Sequence, residues 1–272
     1  MKQLLLLITV MLFCSCLQAK AAPQSDLWPH WQAHDPTSSL QVDHSRWGRF
    51  LGRYLEDKHP SGINRVRYAA VTTEDKKDLQ KYIDTLQDIS VSHLKRPEQM
   101  AYWINLYNAL TVKVILEHYP VESIRDIDIS PGWFSNGPWD AKLLHIEGKD
   151  LSLNDIEHRI LRPIWQDNRI HYAVNCASLS CPNLLKDPFT AENTQVLLEY
   201  NANAYINHPR GMSITEGKAV ISSIYSWFPE DFGGNEEGIR QHLLKYSDAE
   251  REEYLESDNI SFSYTYNWNL NE

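Results

Sequence analysis

Residues 98–120, EQMAYWINLYNALTVKVILEHYP, form the most apolar helix that this sequence predicts. Apolar side chains would cover nearly every face of that helix, and a helix that is apolar all round must be buried. Pro97 suits its first turn, and Pro120 ends it. The chain must therefore fold around one central buried helix.

Helices and short strands mix along the rest of the chain, without the regular alternation that a doubly wound sheet requires. The apolar spacing predicts further helices at 44–58, from Thr73 onward, and at 152–165, 191–206 and 237–245. It predicts strands at 65–71, 170–174 and 260–266. Two hairpins are expected, one at 142–153 that turns at Gly148 and one at 212–221 that turns at Glu216-Gly217. We expect a single α+β domain over 41–272, in which a small, mostly antiparallel sheet and surrounding helices pack on the central helix. Residues 22–40 are expected to form an extended lead-in.

The first 21 residues have the pattern of a signal peptide. Lys2 supplies a positive start, residues 4–16 are mostly apolar, and Ala19-Lys20-Ala21 offers small residues where a signal peptidase cuts. We expect cleavage after Ala21 and a periplasmic or secreted protein. A lipid anchor at Cys16 is less favoured because Phe13 fits poorly three places before it. The run is too short for a stable membrane span, and no later stretch is long and apolar enough to provide one.

The charge of the exported chain excludes one class of partner. Loss of the leader removes two of the 26 Lys and Arg residues and none of the 36 Asp and Glu residues, which leaves a net charge of −12. Binding to a nucleic acid requires a clustered basic face. We therefore expect no nucleic-acid partner.

Two asparagines, Asn105 and Asn108, lie three residues apart on one face of the central helix. A buried amide without hydrogen bonds costs about 1–3 kcal/mol, so each must have partners. In the structural interpretation they hold neighbouring loop backbone. In the functional interpretation one orients a catalytic imidazole or polarises a substrate carbonyl.

Glu157 and His158 follow the first hairpin on an expected α-helix. Adjacent α-helical positions point about 100° apart, so we expect that the two side chains do not face one pocket squarely. His158 is either a structural hydrogen-bonding group or a catalytic base.

The stretch RIHYAVNCASLSCPNL, residues 169–184, holds both cysteines that remain after export, Cys176 and Cys181. On the expected strand His171 and Cys176 face opposite sides, so strand geometry alone does not pair them. The small residues that follow, including Ser178, offer backbone amides for an oxyanion pocket.

The sequence leaves three interpretations of the two cysteines open. A disulfide is sterically possible but would close only a short ring, with a gain of roughly 2 kcal/mol. A metal site could draw on His158, His171 and the two thiols, but their spacing matches no compact zinc pattern, and we expect neither metal nor cofactor. A nucleophilic Cys176 needs only a histidine nearby in space.

Several blocks together resemble the DUF547 family, named as a domain of unknown function. These blocks are AYWINLYNALTVKVILEHYP, LSLNDIEHRILR, RIHYAVNCASLSCPNL, SSIYSWFPEDFG and YNWNLN, which span roughly residues 95–271. The resemblance singles out Asn105, Asn108, Glu157, His158, His171 and Cys176. It implies no cofactor. Family members sometimes have serine in place of the second cysteine, which implies that the first is not committed to a disulfide.

The leading hypothesis is a thiol-dependent hydrolase or acyltransferase that acts on an amide or ester of the cell envelope. Cys176 would be the nucleophile and His158 or His171 the base, oriented by Asn105 or Glu157. Asn108 and Ser178 would contact the substrate.

The rival hypothesis is a non-catalytic binding module for a peptide or glycan, with Trp133 and Trp139 of PGWFSNGPWD in its groove. A His/Cys metal-binding protein is a further alternative.

Pro182 restricts Cys181 to extended backbone angles, and the loop between the cysteines has no glycine. We expect the chain to swing away from Cys176 and to leave two free thiols. Cys176 would line a cleft beside the central helix, and Cys181 would be buried.

Overall fold

A computed structural model of the chain describes residues 22–132, 137–215, 217–257 and 260–272. The α-helices are α1 (Ser45–Tyr54), α2 (Thr73–Gln87), α3 (Arg96–His118), α4 (Arg162–Trp165), α5 (Thr194–Ile206), α6 (Ile224–Trp227), α7 (Glu236–Leu244) and α8 (Ala249–Glu256), and a π-helix, Asp155–Leu161, runs directly into α4. Helix α3 is the expected central helix, and every residue from 98 to 112 is buried.

The strands form three small sheets. They are β1 (Leu55–Glu56), β2 (Arg65–Val66), β3 (Leu144–Ile146), β4 (Lys149–Leu151), β5 (Met212–Thr215), β6 (Lys218–Ser222) and β7 (Phe262–Thr265). The pairs β1–β2, β3–β4 and β5–β6 are antiparallel, whereas β7 adds to β6 in parallel. The predicted α+β class, with small and mostly antiparallel sheets, is confirmed.

The apolar residues of the described chain form two packed clusters. The larger one surrounds α3 and takes in side chains of α1, α2 and the β3–β4 hairpin. The smaller one joins α5 and α7 to the three-stranded sheet. Residues 168–185 lie between them, since Ile170 belongs to the first cluster and Tyr172 to the second.

The predicted strand at 170–174 is wrong. Residues Asn168–Tyr172 form a 3₁₀-helix, which Asp167 caps by accepting a hydrogen bond from the Arg169 N–H. The carbonyl groups of Tyr172 and Ala173 bond to side-chain amides of Asn201 and Asn108, not to a neighbouring strand. A short apolar run is equally compatible with a buried strand and a buried helical turn, and here helix side chains provide the partners.

Smaller differences concern the ends of elements. The strand expected at 65–71 is limited to β2, and a 3₁₀-helix, Tyr68–Ala70, follows it. Helix α2 begins at Thr73, as expected, and is capped by Thr72, whose hydroxyl accepts from the Asp75 N–H. The sequence did not predict α6 or α8. Glu216, in the turn of the second hairpin, lies outside the described residues.

Within the segment before residue 41, residues 26–28 lie against the π-helix. The N–H groups of Asp26 and Trp28 donate to the carbonyls of His158 and Arg159. The Arg159 guanidinium lies 4.5 Å from the centre of the Trp28 ring. Within the described ranges, none of the helices combines the length and apolar character that crossing a bilayer requires.

Candidate functional site

The two asparagines of α3 hold the segments on either side of Cys176. Asn108 donates from Nδ2 to the Ala173 carbonyl (2.9 Å) and accepts at Oδ1 from the Asn175 N–H (2.8 Å). Asn105 makes the same pair of bonds to the backbone of Phe189, at 2.7 and 3.0 Å. Both amides are therefore occupied by loop backbone, as the structural interpretation expects.

A compact turn brings the two cysteines together. Asn175 clamps both ends of it, because its Oδ1 accepts from the Ala177 N–H (2.9 Å) and its Nδ2 donates to the Pro182 carbonyl (2.7 Å). Ala177 adopts a φ of 56°, in the left-handed region that non-glycine residues rarely occupy. The expectation that Pro182 swings the chain away from Cys176 is wrong, since this clamp closes the loop without a glycine.

Both cysteines are free thiols, as expected, but their sulfur atoms are only 3.0 Å apart. Cys176 is half-buried, and Cys181 is 4% exposed. The Cys176 Sγ also lies 3.2 Å from the Ser178 hydroxyl and 3.1 Å from the Tyr266 hydroxyl. The neutral Cys176 thiol donates to Cys181, and once Cys176 is ionised all three neighbours can donate to its sulfur.

These contacts make the two thiols unequal. Burial raises the pKa of Cys176, but hydrogen bonds from Cys181, Ser178 and Tyr266 outweigh it and hold the pKa below the ordinary thiol value. Burial, together with the bond to Cys176, raises the pKa of Cys181 well above that value. Cys176 is therefore the thiol that ionises first.

The C-terminal segment supplies Tyr266 and holds the cysteine loop in place. The N–H groups of Leu179 and Ser180 donate to the carbonyls of Asn269 and Asn267, at 2.8 and 3.1 Å. Because Ala177, Leu179 and Ser180 all use their N–H groups within the fold, the loop does not present them to a substrate. The hydroxyls of Ser178 and Tyr266 are the donors beside the sulfur.

Tyr266 was not predicted from the sequence. It lies 90 positions from Cys176, and no local pattern links the two. The available signal was the block YNWNLN, which begins at this tyrosine and follows the cysteine block in the resemblance to DUF547.

The two histidines lie together in a separate buried ionic cluster, formed by Glu157, His158, Arg162, His171 and Asp231. Asp231 accepts from His171 Nε2 at 2.6 Å and from Arg162 Nε at 2.5 Å. Arg162 also donates to His158 Nδ1 at 2.9 Å. Asp231 and Arg162 are further residues that the sequence did not predict.

Glu157 and His158 both face this cluster, so the expectation that they diverge is wrong. The Glu157 Oε1 lies 3.7 Å from His171 Nδ1 and 4.0 Å from His158 Nδ1. The two residues belong to a π-helix, whose wider turn rotates successive side chains through a smaller angle than an α-helix does.

The charges of the cluster follow from its burial and its bonds. Burial lowers the pKa of His158 to about 4, so this imidazole is neutral at pH 7. Burial opposes ionisation of Asp231, but hydrogen bonds from His171 and Arg162 prevail and lower its pKa to about 2. Asp231 is thus a carboxylate that holds the His171 ring.

Residues 227–228 separate the ionic cluster from the thiols. The Phe228 ring stacks on His171, with centroids 4.6 Å apart, while the adjacent Trp227 ring lies 4.7 Å from Tyr266. Among the described residues, no histidine nitrogen lies within hydrogen-bond distance of the Cys176 sulfur. The structure thus places His158 and His171 near Asp231 and not on the thiol.

A group of half-buried aromatic rings borders the thiol site through Tyr266. We call Trp139, Trp227, Tyr266 and Trp268 the aromatic cluster. Trp268 contacts the other three, with centroid distances of 5.7 Å to Trp139, 5.4 Å to Trp227 and 4.7 Å to Tyr266. Trp133, the other expected groove residue, lies outside the described residues.

The four side chains considered as metal ligands, those of His158, His171, Cys176 and Cys181, do not lie together. The two thiols lie together, while the two histidines share the ionic cluster. In the part of the chain that the structure describes, no group of three or more His, Cys, Asp and Glu side chains is arranged to hold a metal ion.

Comparison with known proteins agrees with the resemblance seen in the sequence. The model of the family described as "Protein of unknown function, DUF547" matches residues 91–206, which include α3, the π-helix, both histidines and both cysteines. The match ends before Tyr266 and Asp231. No curated protein and no solved structure shows significant similarity to the chain. Over residues 91–206, the chain is therefore similar to the DUF547 family.

Proposed function

We propose that this protein is a thiol-dependent hydrolase or acyltransferase in which Cys176 attacks the carbonyl carbon of an amide or ester. The observation that carries the proposal is the position of the Cys176 sulfur, which lies within 3.0–3.2 Å of the Cys181 thiol and the Ser178 and Tyr266 hydroxyls. These contacts lower the pKa of Cys176 and so favour its reactive thiolate without an imidazole on the sulfur.

The same hydroxyl groups suit the next step of the reaction. When the thiolate attacks, the negative charge moves from sulfur to the substrate oxygen, and donors beside the sulfur are placed to follow it. Burial raises the pKa of Tyr266 well above its ordinary value, so its hydroxyl keeps its proton and remains a donor. Ser178 and Tyr266 thus replace the backbone amides as the oxyanion donors in this proposal.

The ionic cluster offers a base for the second step, in which water or another nucleophile cleaves the thioester. His171 is fixed by Asp231 in the manner of an oriented catalytic imidazole. Its separation from the sulfur by residues 227–228 favours a role on the incoming nucleophile over a role on Cys176.

An activated ester tests the nucleophile. After incubation of the reduced protein with p-nitrophenyl acetate, intact-mass and peptide analysis should show one acetyl group on Cys176. The Cys181→Ser variant should still be acetylated, and Cys176→Ser should not. Equal labelling of wild type and Cys176→Ser would end the proposal.

A second candidate function is a binding module, which the aromatic cluster favours. Half-buried tryptophan rings stack on sugar rings and pack on extended peptides. Quenching of tryptophan fluorescence by peptidoglycan fragments would measure such binding. If Trp139→Ala and Trp268→Ala lose binding while Cys176→Ser keeps binding and every phenotype of the wild type, the binding module is the better description.

We further propose that the chain is exported with cleavage after Ala21, so that Ala22 becomes the first residue. N-terminal sequencing of protein from the periplasmic or secreted fraction should begin at Ala22. A mature protein that retains Met1, or a lipid on Cys16, would contradict this.

A further inference from the structure

The thiols of Cys176 and Cys181 lie close together in the folded chain. Their sulfur atoms are 3.0 Å apart, and a disulfide bond of about 2.05 Å would require an approach of roughly 1 Å. The Cys176 N–H already donates to the Cys181 sulfur at 2.9 Å, and the Asn175 clamp holds the loop in its compact form. The backbone is thus arranged for ring closure before oxidation.

The two thiols also differ in access, which sets an order of attack. Cys176 is the more exposed residue of the pair, because it is half-buried, whereas Cys181 is 4% exposed and borders Cys176. An external reagent therefore meets Cys176 first. Cys181 is placed to attack whatever forms on that sulfur.

We propose that Cys176 and Cys181 form a redox-active dithiol that exchanges with small linear disulfides, a further activity of this chain. The proposal shares the nucleophile Cys176 with the acyl chemistry above, but it requires neither an oxyanion donor nor a base for water. The aromatic cluster borders the same sulfur through Tyr266.

The exchange proceeds in two balanced steps. The Cys176 thiolate attacks one sulfur of a disulfide RSSR, a bond forms between Cys176 and RS, and the first RS⁻ leaves and takes a proton. Cys181 then loses its proton and attacks the Cys176 sulfur, which forms the Cys176–Cys181 bond and releases the second RS⁻. The protein is oxidised by two electrons, and RSSR is reduced to two RSH.

The cysteine pair suits reversible disulfide exchange better than it suits a permanent structural disulfide. The ring between residues 176 and 181 is short, so its closure restricts the unfolded chain only slightly. Cys176 is the more exposed residue of the two, and disulfides with an exposed partner are the labile ones.

Glutathione disulfide is the probe for this activity. The reduced wild type should release two molecules of reduced glutathione per chain and lose two hydrogen atoms in intact mass. Cys181→Ser should release one and keep a glutathione adduct on Cys176, and Cys176→Ser should release none. Circular dichroism spectra that match wild type would show that each variant is folded.

Three results would overturn the proposal: accumulation of the adduct in wild type without ring closure, release of two molecules by Cys181→Ser, or a Cys176–Cys181 bond that excess reduced glutathione does not open. The acetylation test separates the two proposals. If wild type is acetylated on Cys176 but does not close the ring with glutathione disulfide, only the exchange activity is removed. Ring closure without acetylation removes only the acyl chemistry.

Discussion

At Cys176, a thiolate would be stabilised by side chains from two distant parts of the chain. Cys181 and Ser178 come from the same loop, and Tyr266 comes from the residue after β7. An enzyme that used this sulfur would draw on these three groups to favour its thiolate. Each donor can be removed singly.

Replacing Tyr266 with Phe should raise the pKa of Cys176, because the ring stays while one donor to the thiolate is lost. The rate of alkylation by iodoacetamide, measured against pH, should reach half its maximum at a higher pH than in wild type. Tyr264→Phe is a matched control on β7, where the side chain is exposed, and should leave the midpoint unchanged. Identical midpoints in all three proteins would contradict the assigned contact.

Ala177 tests whether the left-handed turn brings the sulfurs together. Its φ of 56° is costly for a β-branched residue, so Ala177→Val should lower the free energy of unfolding by about 1–3 kcal/mol and slow ring closure with glutathione disulfide. Glycine adopts this angle freely, so Ala177→Gly should still close the ring. Equal ring closure by Val and Gly variants would show that the turn does not depend on this angle.

At the scale of elements, α3 acts as the anchor of the cysteine loop. Its apolar faces are buried in the larger core cluster, and its two asparagines bond to the loop backbone on either side of the thiols. The apolar pattern predicted the helix. Only the tertiary contacts show that the amides serve the backbone.

Asn108→Ala should lower the free energy of unfolding by about 2–5 kcal/mol, because the buried Ala173 carbonyl and Asn175 N–H lose their partner. Asn203→Ala, which removes one bond from an exposed side chain of α5, should change it by less than about 1 kcal/mol. Urea unfolding gives both values. If Asn108→Ala is as stable as wild type but no longer acetylates Cys176, the asparagine has a chemical role instead.

For the whole molecule, buried histidines predict sensitivity to acid. Burial lowers the pKa of His44, His158 and His242 to about 4, against an ordinary value of 6.5. Between these values the unfolded chain binds protons that the folded chain does not. Stability is therefore full above pH 6.5, and it falls as the pH drops to 4.

As the pH falls from 6.5 to 4, each of these histidines should lower the free energy of unfolding by up to about 3 kcal/mol. Urea unfolding at pH 7 and pH 4 measures the difference. His242→Gln should weaken the dependence, and His145→Gln, at an exposed position, should not. A wild-type stability that is level from pH 7 to pH 4 would contradict this prediction.

The sequence alone predicted the α+β class, the central helix and both main hairpins. Patterns of these kinds are local, because apolar spacing, prolines and turn residues act within a few positions. The strand at 170–174 failed because its hydrogen-bond partners, Asn108 and Asn201, lie on other helices. A five-residue apolar run does not by itself determine which groups its carbonyls will accept hydrogen bonds from.

Only the tertiary structure decided which groups surround Cys176 and His171. Tyr266 and Asp231 reach them from 90 and 60 positions away, beyond any periodic pattern. Their places depend on the C-terminal segment pairing with the cysteine loop and on Phe228 packing against the histidines. Such contacts are selected by the packing of the whole chain, whereas a helix or a turn is determined largely by its own residues.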